Sequence, residues 1–227
     1  MTQTSGKLIC YLISKSSHCM KNELIEKYIS RTLEYNQTPT SAYLFAKEAG
    51  ISEADFYEYF ASLEALEMEI YSNVYNQAYD ACIKNELWQS YSAREKTLAV
   101  FFSLVEHMRS NRSFYKYLHD RDFKSLPKWP GYLKKLHEQF HQHFTEILNK
   151  AIDDKEISSR RILDSKYADG LWINLLFVIK YWIEDNSIRF EKTDAAIEKS
   201  VNLAFDLMSK SALDTAIDFT KFLFQRG

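Results

Sequence analysis

The sequence predicts an all-α protein, a three-helix head followed by a larger helical body. Three observations carry this. Only five Gly and three Pro occur in 227 residues, so few positions interrupt a helix. Apolar residues recur at three- and four-residue spacing through most of the chain, the period of an amphipathic helix. Aromatic residues make up 15 % of the chain, enough both to pack helix on helix and to line an apolar pocket. The head is expected over residues 21–66 and the body over 67–227. Residues 1–20 are expected to form a flexible arm, or an over-extended start ahead of Met20.

Near the N-terminus, Leu8-Ile9-Cys10-Tyr11-Leu12-Ile13 is too short for a membrane span, and no small-residue cleavage site follows it. The first helix is expected over Glu23–Tyr35, with Leu24, Ile25, Tyr28, Ile29 and Leu33 at helical spacing. Thr38-Pro39-Thr40 opens the second, with Thr40 as N-cap and Ala42, Phe45, Ala46 and Ala49 facing inward. Gly50 then makes a tight turn, and Ser52 caps a short third helix that reaches Phe60. Helix, Gly turn and short capped helix together are the layout of a helix-turn-helix.

The body reads as helices throughout. Leu63 to Leu87 carries an apolar stripe of Leu63, Leu66, Ile70, Val74, Tyr75, Ala78 and Ala81. Ser92 caps Ala93 to Arg109, and Asn111 to Leu126 is polar and aromatic, suited to one or two short helices. Pro127-Lys128-Trp129-Pro130-Gly131 is the strong breaker cluster, followed by a helix from Tyr132 to Ile152. Asp164 to Glu184 is apolar on nearly all sides, which predicts burial on more than one side. Thr193 is expected to cap a helix running to Lys210, and Ala212 to Phe224 completes the set.

From Leu24 to Leu66 the residues resemble the N-terminal domain of the TetR family of bacterial repressors. The matching features are Ala49-Gly50-Ile51-Ser52, Tyr57-x-Tyr59-Phe60, Ser62 and Glu64-x-Leu66. The resemblance implies that the helix after Gly50 reads duplex DNA, with Thr40, Ser52, Glu53, Asp55 and Tyr57 as the candidate contacts. Thr40 and Tyr57 are the neutral candidates for phosphate; Tyr57 could equally sit in the core. The resemblance also implies a homodimer through the last two large helices, Asp164 to Glu184 and Asp194 to Lys210. Ala196, Val201, Ala204, Phe205 and Met208 suit that packing. Two departures stand out. Leu63 follows Phe60-Ala61-Ser62 where the family has Lys, and the reading helix carries Glu53, Asp55 and Glu58 rather than small or basic residues.

Those acids set the head against its expected partner. Residues 21–70 hold four Lys or Arg and ten Asp or Glu. Affinity for duplex DNA rests largely on neutralised phosphates, so this balance opposes binding. A carboxylate can accept from cytosine N4, and acids in a first helical turn suit the helix dipole. The discriminator is whether Arg31, Lys47 and the arm lysines Lys7, Lys15 and Lys21 converge on the face that runs from Ser52 to Tyr59.

No cofactor, metal or catalytic group is expected. There is no Gly-rich phosphate loop and no Gly-x-Ser-x-Gly elbow. His137 and His141 share a helix face beside Glu138, with His143 near, but no carboxylate-plus-His set recurs elsewhere, so solvated or pocket-lining histidines are the favoured reading. Cys10, Cys19 and Cys82 lack metal-type spacing and suit a reducing cytoplasm. A hydrophobic small molecule or lipid is the expected ligand, with Phe101, Phe102, Phe114, Trp129, Phe140, Phe144, Trp172 and Phe177 as candidate lining. Two functions follow: a homodimeric TetR-like transcription regulator with an apolar ligand in its body, or a protein of that fold that no longer binds DNA and carries a lipid or isoprenoid.

Overall fold

The computed structural model describes residues 3–122, 130–160 and 163–209, with side chains from Cys19 onward. Among these there is no strand. The helices are α1 (Gln3–Tyr35), α2 (Ala42–Ala49), α3 (Glu53–Tyr59), α4 (Leu63–Ile83), α5 (Ala93–Met108), α6 (Arg112–Asp122), α7 (Lys134–Asp153), α8 (Tyr167–Glu184) and α9 (Glu191–Met208). The chain divides into two compact units, Met1–Ile70 with Ser113–Tyr132 and Tyr71–Arg112 with Leu133–Gly227. The first unit thus takes in α6 as well as the expected head, and the division falls inside α4. The expected helix Ala212 to Phe224 and Trp129 lie outside the described residues.

In the first unit, α1 begins at Gln3 rather than Glu23. No Gly or Pro occurs between Lys7 and Tyr35, so nothing in the backbone stops the helix earlier. It ends at Asn36, whose φ of 48° is the left-handed conformation that Asn tolerates at a helix C-terminus. Leu24, Tyr28 and Ile29 are buried as expected, whereas Leu33 is exposed. Edge-to-face rings hold the core together. Tyr28 meets Phe45 at 5.4 Å and Phe114 of α6 at 6.2 Å, and Phe45 meets Phe56 at 5.9 Å.

In the second unit, α5, α7, α8 and α9 pack on one another. Val100, Phe101, Leu104, Phe140, Phe144, Leu175, Val178, Trp182, Ile197 and Val201 are fully buried there. The expected long helix ends at Ile83, and Ala81 lies exposed outside its apolar stripe. Ser92 caps α5 as expected, in a capping box with Glu95.

The cap of α9 differs from expectation. Thr193 lies within the first turn, fully buried, and the cap comes from Asp185. The Asp185 carboxylate accepts from the Thr193 N–H at 2.9 Å, its hydroxyl at 2.7 Å and the Ser187 N–H at 2.7 Å. Burial alone would raise this carboxyl, and the donors outweigh it, holding its pKa at about 2. Across the same turn the Arg112 guanidinium donates to the carbonyls of Trp182, Ile183 and Asp185, closing the C-terminus of α8.

Candidate functional site

The helix-turn-helix is built from two caps and one glycine. Ser41 is the N-cap of α2, its Oγ accepting from the Leu44 N–H at 3.2 Å, so the cap is one residue later than the expected Thr40. Thr40 and Ser41 are adjacent hydroxyls that could each fill that role, and Thr40 is exposed beside the cap. At the other end Gly50 has φ 80°, and its N–H and that of Ile51 return to the last carbonyls of α2. Lys27 of α1 adds a third donor, to the Ala49 carbonyl at 2.9 Å. Ser52 then caps α3 with a complete capping box closed by Asp55.

Phe56 and Phe60, 0 % and 3 % exposed, anchor α3. The outer face therefore holds Ser52, Glu53, Ala54, Asp55, Tyr57 and Glu58. Tyr57 is 52 % exposed, which settles its two readings against a core position. Its hydroxyl donates to Glu53 Oε1 at 3.2 Å, and that hydrogen bond raises its pKa above the usual phenol range. The acids thus have local work. Asp55 completes the cap, accepting from Ser52 Oγ at 2.7 Å, and Glu53 holds Tyr57. Glu58 is exposed at the end of the face. Thr40 is exposed beside the start of α2.

Three of the head's cations are turned to its own acids. Lys21 pairs with Glu69 at 2.8 Å and lies over the Phe60 ring. Arg31 pairs with Glu48 at 2.8 Å, donates to the Gln37 carbonyl and stacks on Tyr35. Lys27 pairs with Glu23. Lys47 is exposed without an ion pair among the described residues, and the side chains of Lys7 and Lys15 lie outside them.

The same unit contains an ion pair that the sequence reading did not identify. Arg121 of α6 grips buried Glu67 of α4 with two bonds of 2.8 Å, and the Tyr28 hydroxyl donates to the same carboxylate at 2.6 Å. Asp122 holds the guanidinium from its other side, at 2.6 Å. Burial followed by the Glu67 charge raises the Tyr28 pKa well above the phenol range. The Tyr117 hydroxyl accepts from the Thr38 N–H at 3.0 Å, so α6 also fixes the turn that leads into α2. Tyr28, Thr38, Glu67, Arg121 and Asp122 line a cavity of about 360 Å³ with Pro39, Leu63 and Tyr132.

The aromatic residues proposed as pocket lining divide between the units. Phe114 belongs to the first, packed on Tyr28 and Tyr115. In the second, Phe140 stacks on Phe144 at 4.1 Å, and Phe101 and Trp172 close on that pair. Phe102 is half-buried, and Phe177 is 47 % exposed on the outside of α8. Beside the stacked pair lies a polar layer. The Tyr75 hydroxyl meets His143 Nδ1 at 3.1 Å, Tyr79 stacks on that imidazole at 3.9 Å, and Gln139 bridges Ser72 and Asn76. Burial lowers the His143 pKa against the opposing pull of Glu146 and Asp80.

The run His137-Glu138-Gln139-Phe140-His141 does carry the His-Glu-x-x-His spacing of zinc proteases. The fold uses it otherwise. His137 packs its ring on Trp172 at 4.9 Å, and His141 Nε2 lies 3.3 Å from Asp169. No group of three metal-ligating side chains forms among the described residues.

Residues 96–223 match the family model described as "Tetracyclin repressor-like, C-terminal domain", which is more than half of the chain. The chain belongs to the TetR family of transcription regulators. Members of that family are transcription factors rather than enzymes. The solved structures it resembles include an assigned TetR-family regulator from Shewanella sp. PV-4, at TM-score 0.58 and 14 % identity over 84 % of this chain and 98 % of that one. A TetR-family regulator from Marinobacter aquaeolei VT8 gives 0.52 and 18 %, over 86 % and 97 %. A protein of unknown function from Rhodococcus sp. RHA1 gives 0.55 and 14 %, over 84 % and 95 %. At these identities the likeness is one of fold. No curated protein sequence matches the chain. The TetR model matches the body and the sequence resemblance rests on the head, so the two cover different parts of the chain. Among the described residues no helix is long and apolar enough to cross a membrane.

Proposed function

We propose that this TetR-family regulator works as a homodimer that reads duplex DNA with α3 and answers to a small apolar ligand in its second unit. The observation that carries the DNA reading is the α2–Gly50–α3 unit, whose two caps and left-handed glycine hold the outer face of α3 to solvent. Asp55 and Glu53 are held by neutral partners and keep their charges, so all three acids repel the phosphates, and Glu58 is the one free to accept from cytosine N4. The hydroxyls of Thr40 and Tyr57 would position the backbone. Few phosphates are neutralised in such a complex, so affinity should fall only shallowly with salt.

The dimer reading is supported by an exposed apolar face on the outside of α8 and α9. Ile173, Phe177, Leu203 and Leu207 are 60 %, 47 %, 60 % and 44 % exposed. Around Phe177 and Leu203 lies a groove of about 440 Å³ floored by Ala195 and Ala196. Val201, Phe205 and Met208, offered from the sequence as part of this face, are buried in the protomer's own core. The ligand reading is supported by the stacked Phe101, Phe140, Phe144 and Trp172 beside the polar Tyr75–His143 layer, which suits an apolar body bearing one polar group. The cytoplasm is the compartment this role requires.

Titrating the protein with random and upstream-promoter duplexes, at low and then moderate salt, tests the central claim. Sequence-selective binding that survives moderate salt supports it. No binding at low salt overturns it and favours the lipid- or isoprenoid-carrier reading, which the self-paired cations of the head support. Organic extraction of the purified protein would then identify the cargo.

A further inference from the structure

A groove of about 660 Å³ lies in the first unit between α1 and α2. Its α1 wall runs from Glu23 to Tyr35, and its other wall from Phe45 to Gly50. The α1 wall is about 18 Å long, the length of a helix of about twelve residues. Phe45, Ala49 and the bare backbone of Gly50 form the floor, and a Cβ on Gly50 would meet nothing within 4 Å. Tyr35, at one end of the α1 wall, is 61 % exposed. Leu44, one turn before Glu48 on α2, is 42 % exposed.

The two cations on these walls are committed within the unit. Lys27 pairs with Glu23 and donates to the Ala49 carbonyl, and Arg31 pairs with Glu48 and lies 4.9 Å over the Tyr35 ring. Glu26 and Glu34 are exposed on the same groove and have no partner among the described residues. Eight residues of helix set them about 12 Å apart along the axis. An exposed aromatic and an exposed aliphatic group beside two free carboxylates suit a protein interface, in which a polar rim surrounds an apolar strip.

We propose that this groove docks an amphipathic helix of a partner protein, one that lays its apolar face on Tyr35 and Leu44 and brings Lys or Arg to Glu26 and Glu34. Charge complementarity selects that partner. Residues 21–70 hold four Lys or Arg against ten Asp or Glu, a field that repels nucleic acid and draws a basic segment. Spacing selects a helix over a small cation, because basic residues two turns apart on one helix face match carboxylates about 12 Å apart. The groove ends at Gly50, two residues before the Ser52 cap, so the docked helix lies beside the turn that orients α3. Docking there does not depend on α3 binding DNA.

The test is fluorescence anisotropy of the full chain with a labelled peptide of about eighteen residues, Leu along one helical face and Lys beside it. A scrambled peptide of the same composition, with no apolar face, is the comparison. The expected result is saturable binding of the amphipathic peptide and about tenfold weaker binding of the scrambled one. Glu26→Gln with Glu34→Gln should weaken the amphipathic peptide about three- to tenfold, and Tyr35→Ala should weaken it as well. Glu86→Gln with Glu138→Gln removes the same charge from exposed positions of the second unit and should leave binding unchanged. All of these side chains are exposed, and circular dichroism should show unaltered helicity. No saturable binding, equal binding of the two peptides, or equal effects of the two double variants overturns the proposal; the acids of the head are then a solvated face. Light scattering of Glu26→Gln with Glu34→Gln checks the other occupant: a lower mass than the unmodified chain assigns the groove to a second copy and also overturns it.

Discussion

Arg121→Met should destabilise the first unit more than any other single loss of a charge there. Glu67 is 4 % exposed, and its carboxylate is held by two Arg121 bonds of 2.8 Å and one Tyr28 bond of 2.6 Å. Removing the guanidinium leaves a buried charge with one neutral donor, which costs about 3–5 kcal/mol in such pairs. The Arg121 side chain is 29 % exposed, so water partly replaces it, and the lower end, about 3 kcal/mol, is expected. Glu67→Gln keeps the volume and the Tyr28 bond while Arg121 keeps Asp122, so about 1–2 kcal/mol is lost. The double variant should fall short of the sum by about 2 kcal/mol, because the second change removes a penalty that the first created. Against a total stability of about 5–15 kcal/mol this is a large effect, a fall of about 6–12 °C in Tm for Arg121→Met. Urea and thermal unfolding followed by circular dichroism at 222 nm would measure the cycle. A loss under about 1 kcal/mol in Arg121→Met, or strict additivity, would refute the view that Arg121 compensates a buried charge.

Three further outcomes follow from single features. Gly50→Ala should cost about 1–2 kcal/mol by chemical denaturation and Gly50→Asn less; a Cβ there meets nothing within 4 Å, so only the φ of 80° resists it, and equal costs would contradict this. Asp185 has a folded pKa near 2 against 3.8, so its stabilising effect is full above pH of about 4 and is lost as pH falls through about 2. Asp185→Asn should therefore unfold more readily at neutral pH and show a shallower loss of stability across that acid range; parallel curves would show that the carboxylate is not the cap. Phe177→Asp with Leu203→Asp should convert a dimer to a monomer in light scattering with unchanged helicity, because two exposed apolar groups of the α8–α9 face become charged. A dimer that persists would place the contact elsewhere.

Local chemistry made much of this architecture legible in the residues. Gly50 between an apolar helix and Ser52 specifies a left-handed turn and a cap, and both are present. Ser92 with Glu95 announces the start of α5, and the apolar run after Tyr167 announces a helix buried on several sides. These features lie within a turn or two of chain, where backbone sterics and hydrogen bonding act without help from distant residues.

What the tertiary structure decided involves partners far apart in sequence. Between Thr40 and Ser41 propensity is silent, and the folded chain uses Ser41. Thr193 carries a capping side chain, yet Asp185 took the cap because the turn between α8 and α9 brings its carboxylate to the Thr193 N–H. Apolar residues at helical spacing mark a stripe but not what covers it, so Val201 and Phe205 went inward while Phe177 and Leu203 stayed exposed. The sequence by itself determined most of the helices, the caps at Ser52 and Ser92, and the helix-turn-helix. Only the fold determined which charges are satisfied, because that depends on distances between residues that the chain order leaves free.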